Sequence, residues 1–134
     1  MLEDTGLVLM ASASKTLRVN SGETADFICE YTKHQQYSRI IIFKTRNYII
    51  EEVISTTNTR AQKKRFSISD IKHKNIFTVR ITAVTPDDGG VYLCGVWDYS
   101  YLYSHSIIST VHLHIIRRTI QQIKLHKAFY YPRR

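Results

Sequence analysis

The chain has 134 residues, 43% of them hydrophobic and 22% charged, a balance that suits one globular domain and excludes two independent cores or a wholly disordered chain. Its formal charge of +8 is unevenly spread: all 11 acids lie in residues 1–116, whereas residues 117–134, RRTIQQIKLHKAFYYPRR, hold six Lys or Arg and no acid. No run approaches the roughly 20 apolar residues of a membrane span, and Glu3 and Asp4 stand where a secretory leader needs positive charge.

In chain order, strand signals begin at Lys15–Val19 and continue in ADFICEY, where Phe27, Cys29 and Tyr31 alternate with Asp26, Ile28 and Glu30. Ser38–Lys44, Tyr48–Ile54 and Arg65–Ser69 are shorter candidates. NIFTVRITAV then sets Phe77, Val79 and Ile81 against Thr78, Arg80 and Thr82, and GVYLCGVW places Tyr92, Cys94 and Val96 on one side. Ile107–Ile115 completes the set. The intervening SGE, TRN, TTNTRAQKK, DIKHKN and TPDDGG are turn or loop chemistry. Seven or more short strands with no amphipathic helix before residue 117 predict an all-β sandwich of antiparallel sheets. The basic tail, 117–134, has a partly helical spacing at Ile120, Ile123 and Leu125 but no caps, and is expected to be disordered or non-native.

The only two cysteines, Cys29 and Cys94, each fall on the inward face of a strand. A bridge between two packed sheets requires that placement. Two reduced core cysteines in a cytosolic protein are the other reading of the same residues.

Around Cys94 the sequence runs Asp88-x-Gly90-x-Tyr92-x-Cys94, preceded by Val84 and Pro86. This pattern resembles the variable-type immunoglobulin domain. The resemblance implies a V-type sandwich over residues 1–116, its two sheets joined by a Cys29–Cys94 disulfide. It also implies that Tyr92 closes the corner before its strand, that Gly90 permits the tight turn, and that Asp88 pairs with Arg65 in a structural salt bridge. RFSISD, NIFTVRITAV and TPDDGGVYLCGVW are similar to the leukocyte mono-Ig-like receptors and polymeric immunoglobulin receptor-like proteins, particularly those of fishes, and more loosely to the triggering receptors of myeloid cells. The sequence departs from these families in three places. Ile41 or Ile42 stands where relatives carry a core Trp, there is no second cysteine pair, and IISTVHLHI lacks the Gly-x-Gly of joining segments. The last departure argues against a rearranged antigen-receptor chain.

A domain of this kind displays loops at one end of the sandwich. The candidate ligand-binding residues are His34, Gln35 and Tyr37 in KHQQYS, Arg46 in the connection Thr45–Tyr48, and Asp98, Tyr99, Tyr101, Leu102 and Tyr103 in DYSYLYSH. Tyrosine offers amphipathic contact area at low entropic cost and serine adaptable hydrogen bonding, so DYSYLYSH resembles a paratope. The same tyrosines equally suit a hairpin that covers a sheet edge. Trp97 is a further ligand-binding candidate: it points away from the core and, with Leu93, suits the apolar centre of a ligand, adhesion or homodimer surface, or is covered by strand neighbours such as Phe43.

The family resemblance implies the ectodomain of an innate immune receptor on the extracellular side of a leukocyte plasma membrane, anchored through segments outside this sequence. Its implied partners are phospholipid head groups, immunoglobulin or a cell-surface protein. Arg60, Lys63, Lys64, Arg65, Lys72 and Lys74 form a basic cluster expected on neighbouring loops, suited to an anionic surface. His112 and His114 share a strand face without a third ligand, and no catalytic or phosphate-binding motif occurs. No enzyme activity, metal, cofactor or specific nucleic-acid partner is therefore expected.

Overall fold

The computed structural model describes residues 7–36, 38–56, 60–98 and 104–117. Nine strands form two packed sheets: β1 (Leu7–Asn20), β2 (Ala25–Glu30), β3 (Ile40–Arg46), β4 (Ile49–Ser55), β5 (Arg60–Lys63), β6 (Phe66–Ile71), β7 (Ile76–Ile81), β8 (Gly90–Asp98) and β9 (Ser104–Ile116). The front sheet has the order β1-β9-β8-β3-β4 and the back sheet β2-β7-β6-β5. Among the described residues no helix is long and apolar enough to cross a membrane.

Alternation in the sequence becomes burial in the fold. Phe27 and Cys29 of β2 with Tyr31 just after it, Phe77, Val79 and Ile81 of β7, and Tyr92, Cys94 and Val96 of β8 all lie in one core, closed by Ile40, Ile42, Ile54, Val111 and Leu113. The Cys29–Cys94 disulfide links the sheets across a Cα separation of 6.5 Å. Ile42 pairs directly across from Cys94 and is fully buried, so it, and not Ile41, occupies the place of the core aromatic.

The structure departs from the sequence reading in three places. Most strand pairs are antiparallel, but β1 runs parallel to β9. No hairpin joins these two strands, so no turn fixes their relative direction. TTNTRAQKK is not wholly loop: Arg60–Lys63 adds a four-residue edge strand to β6. Short and charged, β5 has the character of a protected edge and carries no apolar alternation to reveal it. Finally, the Gly-x-Gly is absent from β9 but a bulge is not. Cys94 faces Ser109 while its neighbour Gly95 faces Ile107, leaving Ile108 as the extra residue. A bulge whose extra residue stays in the right-handed region needs no glycine.

The other back-sheet edge, β2, is blocked differently. Lys15 of β1 donates its ammonium to the Ile28 carbonyl, occupying an acceptor that a foreign strand would need.

Candidate functional site: the loop end of the sandwich

The strand directions sort the connections into two ends. At one end β2 passes to β3, β4 to β5, β6 to β7 and β8 to β9; at the other lie the β3–β4 hairpin, the β5–β6 turn and the Pro86–Asp88 turn before β8. Each antiparallel strand delivers the next connection to the opposite end, which moves two sequence expectations. Arg46 lies at the far end of β3 from His34 and does not share a surface with it. The basic cluster is likewise divided by the length of β6: Lys63, Lys64 and Arg65 sit at the far end, Lys72 and Lys74 at the loop end.

At the far end the expected corner is present. Arg65 holds Asp88 in a two-pronged ion pair, Nη1 to Oδ2 at 2.7 Å and Nη2 to Oδ1 at 2.9 Å. Arg65 Nη1 also donates to the Thr82 and Ala83 carbonyls. The Asp88 carboxylate accepts the Thr85 backbone N–H at 2.7 Å, and the Tyr92 hydroxyl donates to the Asp88 carbonyl at 2.5 Å. Burial alone would raise the Asp88 carboxyl, but the Arg65 guanidinium and the Thr85 N–H outweigh it and hold the group below its ordinary value. Burial, with the Asp88 charge beside it, pushes the Tyr92 phenol up. Gly90 has a φ of 144°, where a side chain is strained. All of this is architecture, remote from the loops.

At the loop end two short 3-10 turns are joined. Lys33–Gln35 lies between β2 and β3, and Lys72–Lys74 between β6 and β7. The Gln36 side-chain amide donates to the Lys72 carbonyl at 3.0 Å and to Asn75 Oδ1 at 3.1 Å, and the Lys72 ammonium donates back to the Gln36 carbonyl. Lys72 also pairs with Asp70 at 3.2 Å, and Asp70 accepts the Tyr31 hydroxyl at 2.7 Å. Burial, and then Asp70, push the Tyr31 phenol up. Asn75, at φ 54°, supplies the left-handed residue that closes the second turn. The two loops thus form one unit that exposes Lys33, His34, His73 and Lys74.

Gln35 has a structural task here: it is buried, and its side-chain carbonyl accepts the Thr32 N–H at 3.0 Å. Sequence reasoning missed the contribution of His73 and Gln36, since nothing local shows that DIKHKN folds against KHQQYS. Tyr37, Tyr99, Tyr101, Leu102 and Tyr103 lie outside the described residues, and for Asp98 only the backbone is described. The backbone of Trp97 is anchored beside this end, its main-chain N–H donating to the Arg39 carbonyl at 2.8 Å.

The outward face of the front sheet is a small second core more than an open patch. Ile41, Phe43 and Ile107 are buried there, with Leu93 and Trp97 half-buried against them. Gly95 lies between Leu93 and Trp97, and a Cβ on it would stand 3.3 Å from the Phe43 ring and 3.4 Å from Ile107. Gly95→Ala is therefore expected to cost about 1 kcal/mol in a denaturant melt. An unchanged midpoint would mean that this layer is loosely packed.

The outer face of the back sheet carries a shallow groove of about 730 Å³ with Asp26, Ile28, Arg60, Ser67, Thr78 and Arg80 among its lining residues. Arg80 is committed to Asp26 at 2.8 Å. His112 and His114 lie on the outer face of β9, and no group of three metal-ligating side chains occurs among the described residues. The arrangement offers contact surface and fixed charge.

Compared with known proteins, residues 12–116 match the family model of the immunoglobulin V-set domain. No curated protein matches the chain significantly. With the sheet order, the inter-sheet disulfide and the Arg65–Asp88–Tyr92 corner in place, and with a family match spanning most of its length, this chain belongs to the immunoglobulin V-set domain family.

Proposed function

We propose that this V-set domain is the ligand-binding ectodomain of a cell-surface innate immune receptor of the leukocyte mono-Ig-like or polymeric immunoglobulin receptor-like kind, and that it recognises its ligand through the loop end. V-set domains are commonly interaction modules of receptors, typically extracellular. The observation that carries the reading is the joined pair of 3-10 turns, which holds exposed Lys33, His34, His73 and Lys74 on a hydrogen-bonded base. A binding surface needs such pre-organisation to avoid paying loop-ordering entropy on contact. β8 ends in Asp98 at this same end, and the sequence that continues from it, YSYLY, is rich in the tyrosine that suits a contact surface.

The ligand classes in this reading are a phospholipid head group, an immunoglobulin or a cell-surface protein. Binding to immobilised immunoglobulins and to a panel of leukocyte surface proteins should weaken about tenfold or more when Tyr99, Tyr101 and Tyr103 are changed to Ala together. The melting temperature should hardly move. A matching fall in melting temperature would make those tyrosines part of the fold instead.

A second reading, adhesion or homodimerisation through the front-sheet face, rests on the part of Leu93 and Trp97 that the small second core leaves uncovered. Trp97→Ala should then turn a concentration-dependent dimer into a monomer in analytical ultracentrifugation. A parent protein that stays monomeric across the concentration range would dispose of it.

A further inference from the structure

The β3–β4 hairpin is turned by Asn47 at φ 49° and Tyr48 at φ 66°. Two successive left-handed residues make the tight hairpin turn whose second position glycine normally takes. Asparagine tolerates the left-handed region; a bulky aromatic is out of place in it. The Tyr48 ring is fully exposed, and Ile49 and Ile50 follow at 58% and 41% exposure. Three of the five large apolar side chains exposed among the described residues are thus consecutive, on one hairpin tip, at a strained turn. Nothing in the domain's own packing accounts for them.

The register shows what shape the apolar tip has. Ile50 pairs with Thr45 and so shares the outward face of Phe43, whereas Ile49 pairs with Arg46 and points the other way. Apolar side chains therefore flank the tip on both faces and cap it. A protein partner laid on a sheet would need one face; a medium that surrounds the tip suits all three residues. Glu51 and Glu52, both exposed, follow immediately and set a limit about 10 Å from the tip, three residues of strand rise.

The charges nearby are of both signs, with a small excess of positive ones. Arg46 is on the hairpin itself, Lys63 and Lys64 are exposed at the β5–β6 turn, and β9 ends at this side of the domain in exposed Ile116 and Arg117. The chain continues from there into residues 118–134, which carry Lys or Arg at five positions and no acid. The acids at this end are Asp88, held by Arg65; Glu23, bonded to Asn20; exposed Asp87; Glu51, opposite Lys44; and exposed Glu52, opposite Phe43.

We propose that Tyr48, Ile49 and Ile50 form a wedge that inserts into the interface of an anionic phospholipid bilayer, with Arg46, Lys63, Lys64 and Arg117 against the head groups. Tyrosine favours the head-group level, with apolar side chains just beneath it. Each cation near an anionic surface adds attraction that salt weakens. The domain then stands on the membrane by the end opposite its loops. The inference is independent of the loop-end reading.

The test uses the full chain and phosphatidylcholine vesicles with and without phosphatidylserine, at physiological salt. Binding is expected to require phosphatidylserine and to weaken about tenfold or more in Ile49→Ser/Ile50→Ser. Tyr48→Gly should also weaken it while raising the melting temperature, because the left-handed strain is relieved. With brominated lipid in the vesicles, the indole introduced by Tyr48→Trp should be quenched and the native Trp97 at the other end should not. Three outcomes would each overturn the proposal: equal vesicle binding by the Ile49→Ser/Ile50→Ser variant, quenching of Trp97 in place of the introduced indole, or loss of a protein dimer in the hairpin variants with vesicle binding intact.

Discussion

Replacing Cys29 and Cys94 together by Ala is expected to destabilise the domain by about 4 kcal/mol, the loss that cross-link entropy predicts for a loop of 65 residues. The two sulfurs lie at the centre of the core, between Ile42 and Phe77 in the strand pairing, so their removal also leaves a gap that neighbours fill only in part. A fall in the stability extrapolated to water, with a lower denaturant midpoint and a slope that rises because the unlinked unfolded chain is more open, matched by the parent protein under reducing conditions, would establish the size of the effect. A much smaller loss would mean that the sheets are held mainly by the apolar layer of Phe27, Phe77, Val79 and Tyr92. Ile42 bears on this directly. An aliphatic residue gives the bridge less contact area than an indole, so the domain should depend more heavily on its covalent link.

The central strands were legible in the sequence because their two faces meet different media. β2 and β7 alternate cleanly, and β8 does so except at Gly95, which is buried on the outward face under Phe43 and Ile107. The corner was legible through the family pattern, since Arg65, Asp88, Gly90 and Tyr92 recur at fixed places around the second cysteine. β5 was not legible because an edge strand with one half-buried residue, Ala61, has no periodicity to read. The loop-end site was only partly legible. Gln36 and Asn75 meet across 39 positions of sequence, and only the pairing of β2 with β7 brings them together. Arg46 was misplaced for a related reason: polar residues between two strands mark a connection but not the end of the sandwich on which it falls. The hairpin wedge was hidden in the segment Tyr48–Ile54, where apolar residues read as strand interior; burial shows that only the second half of β4 turns inward.

Asp88→Ala is expected to cost about 2–3 kcal/mol, near the lower end for breaking a buried pair. The carboxylate is almost fully enclosed, but the Arg65 side chain is 38% exposed and recovers part of its loss from water. The remaining cost lies in the Thr85 N–H, which loses its acceptor inside a tight turn, and in the turn that positions the Asp88 carbonyl for Tyr92. Asp88→Asn separates charge from shape, for it keeps one oxygen to cap Thr85 and gives up the ion pair. The pH dependence follows from the sign of the shift. Because folding lowers the Asp88 carboxyl, its contribution is complete above the unfolded value of about 4 and is lost as pH falls through the lower folded one. The parent domain should therefore lose stability faster than Asp88→Asn below about pH 4. Parallel stability curves for the two proteins in acid would show that Asp88 acts here through geometry alone. In that event Arg65→Met should cost only its bonds to the Thr82 and Ala83 carbonyls and should add fully to Asp88→Asn, whereas a working ion pair predicts a larger loss that is less than additive with Asp88→Asn.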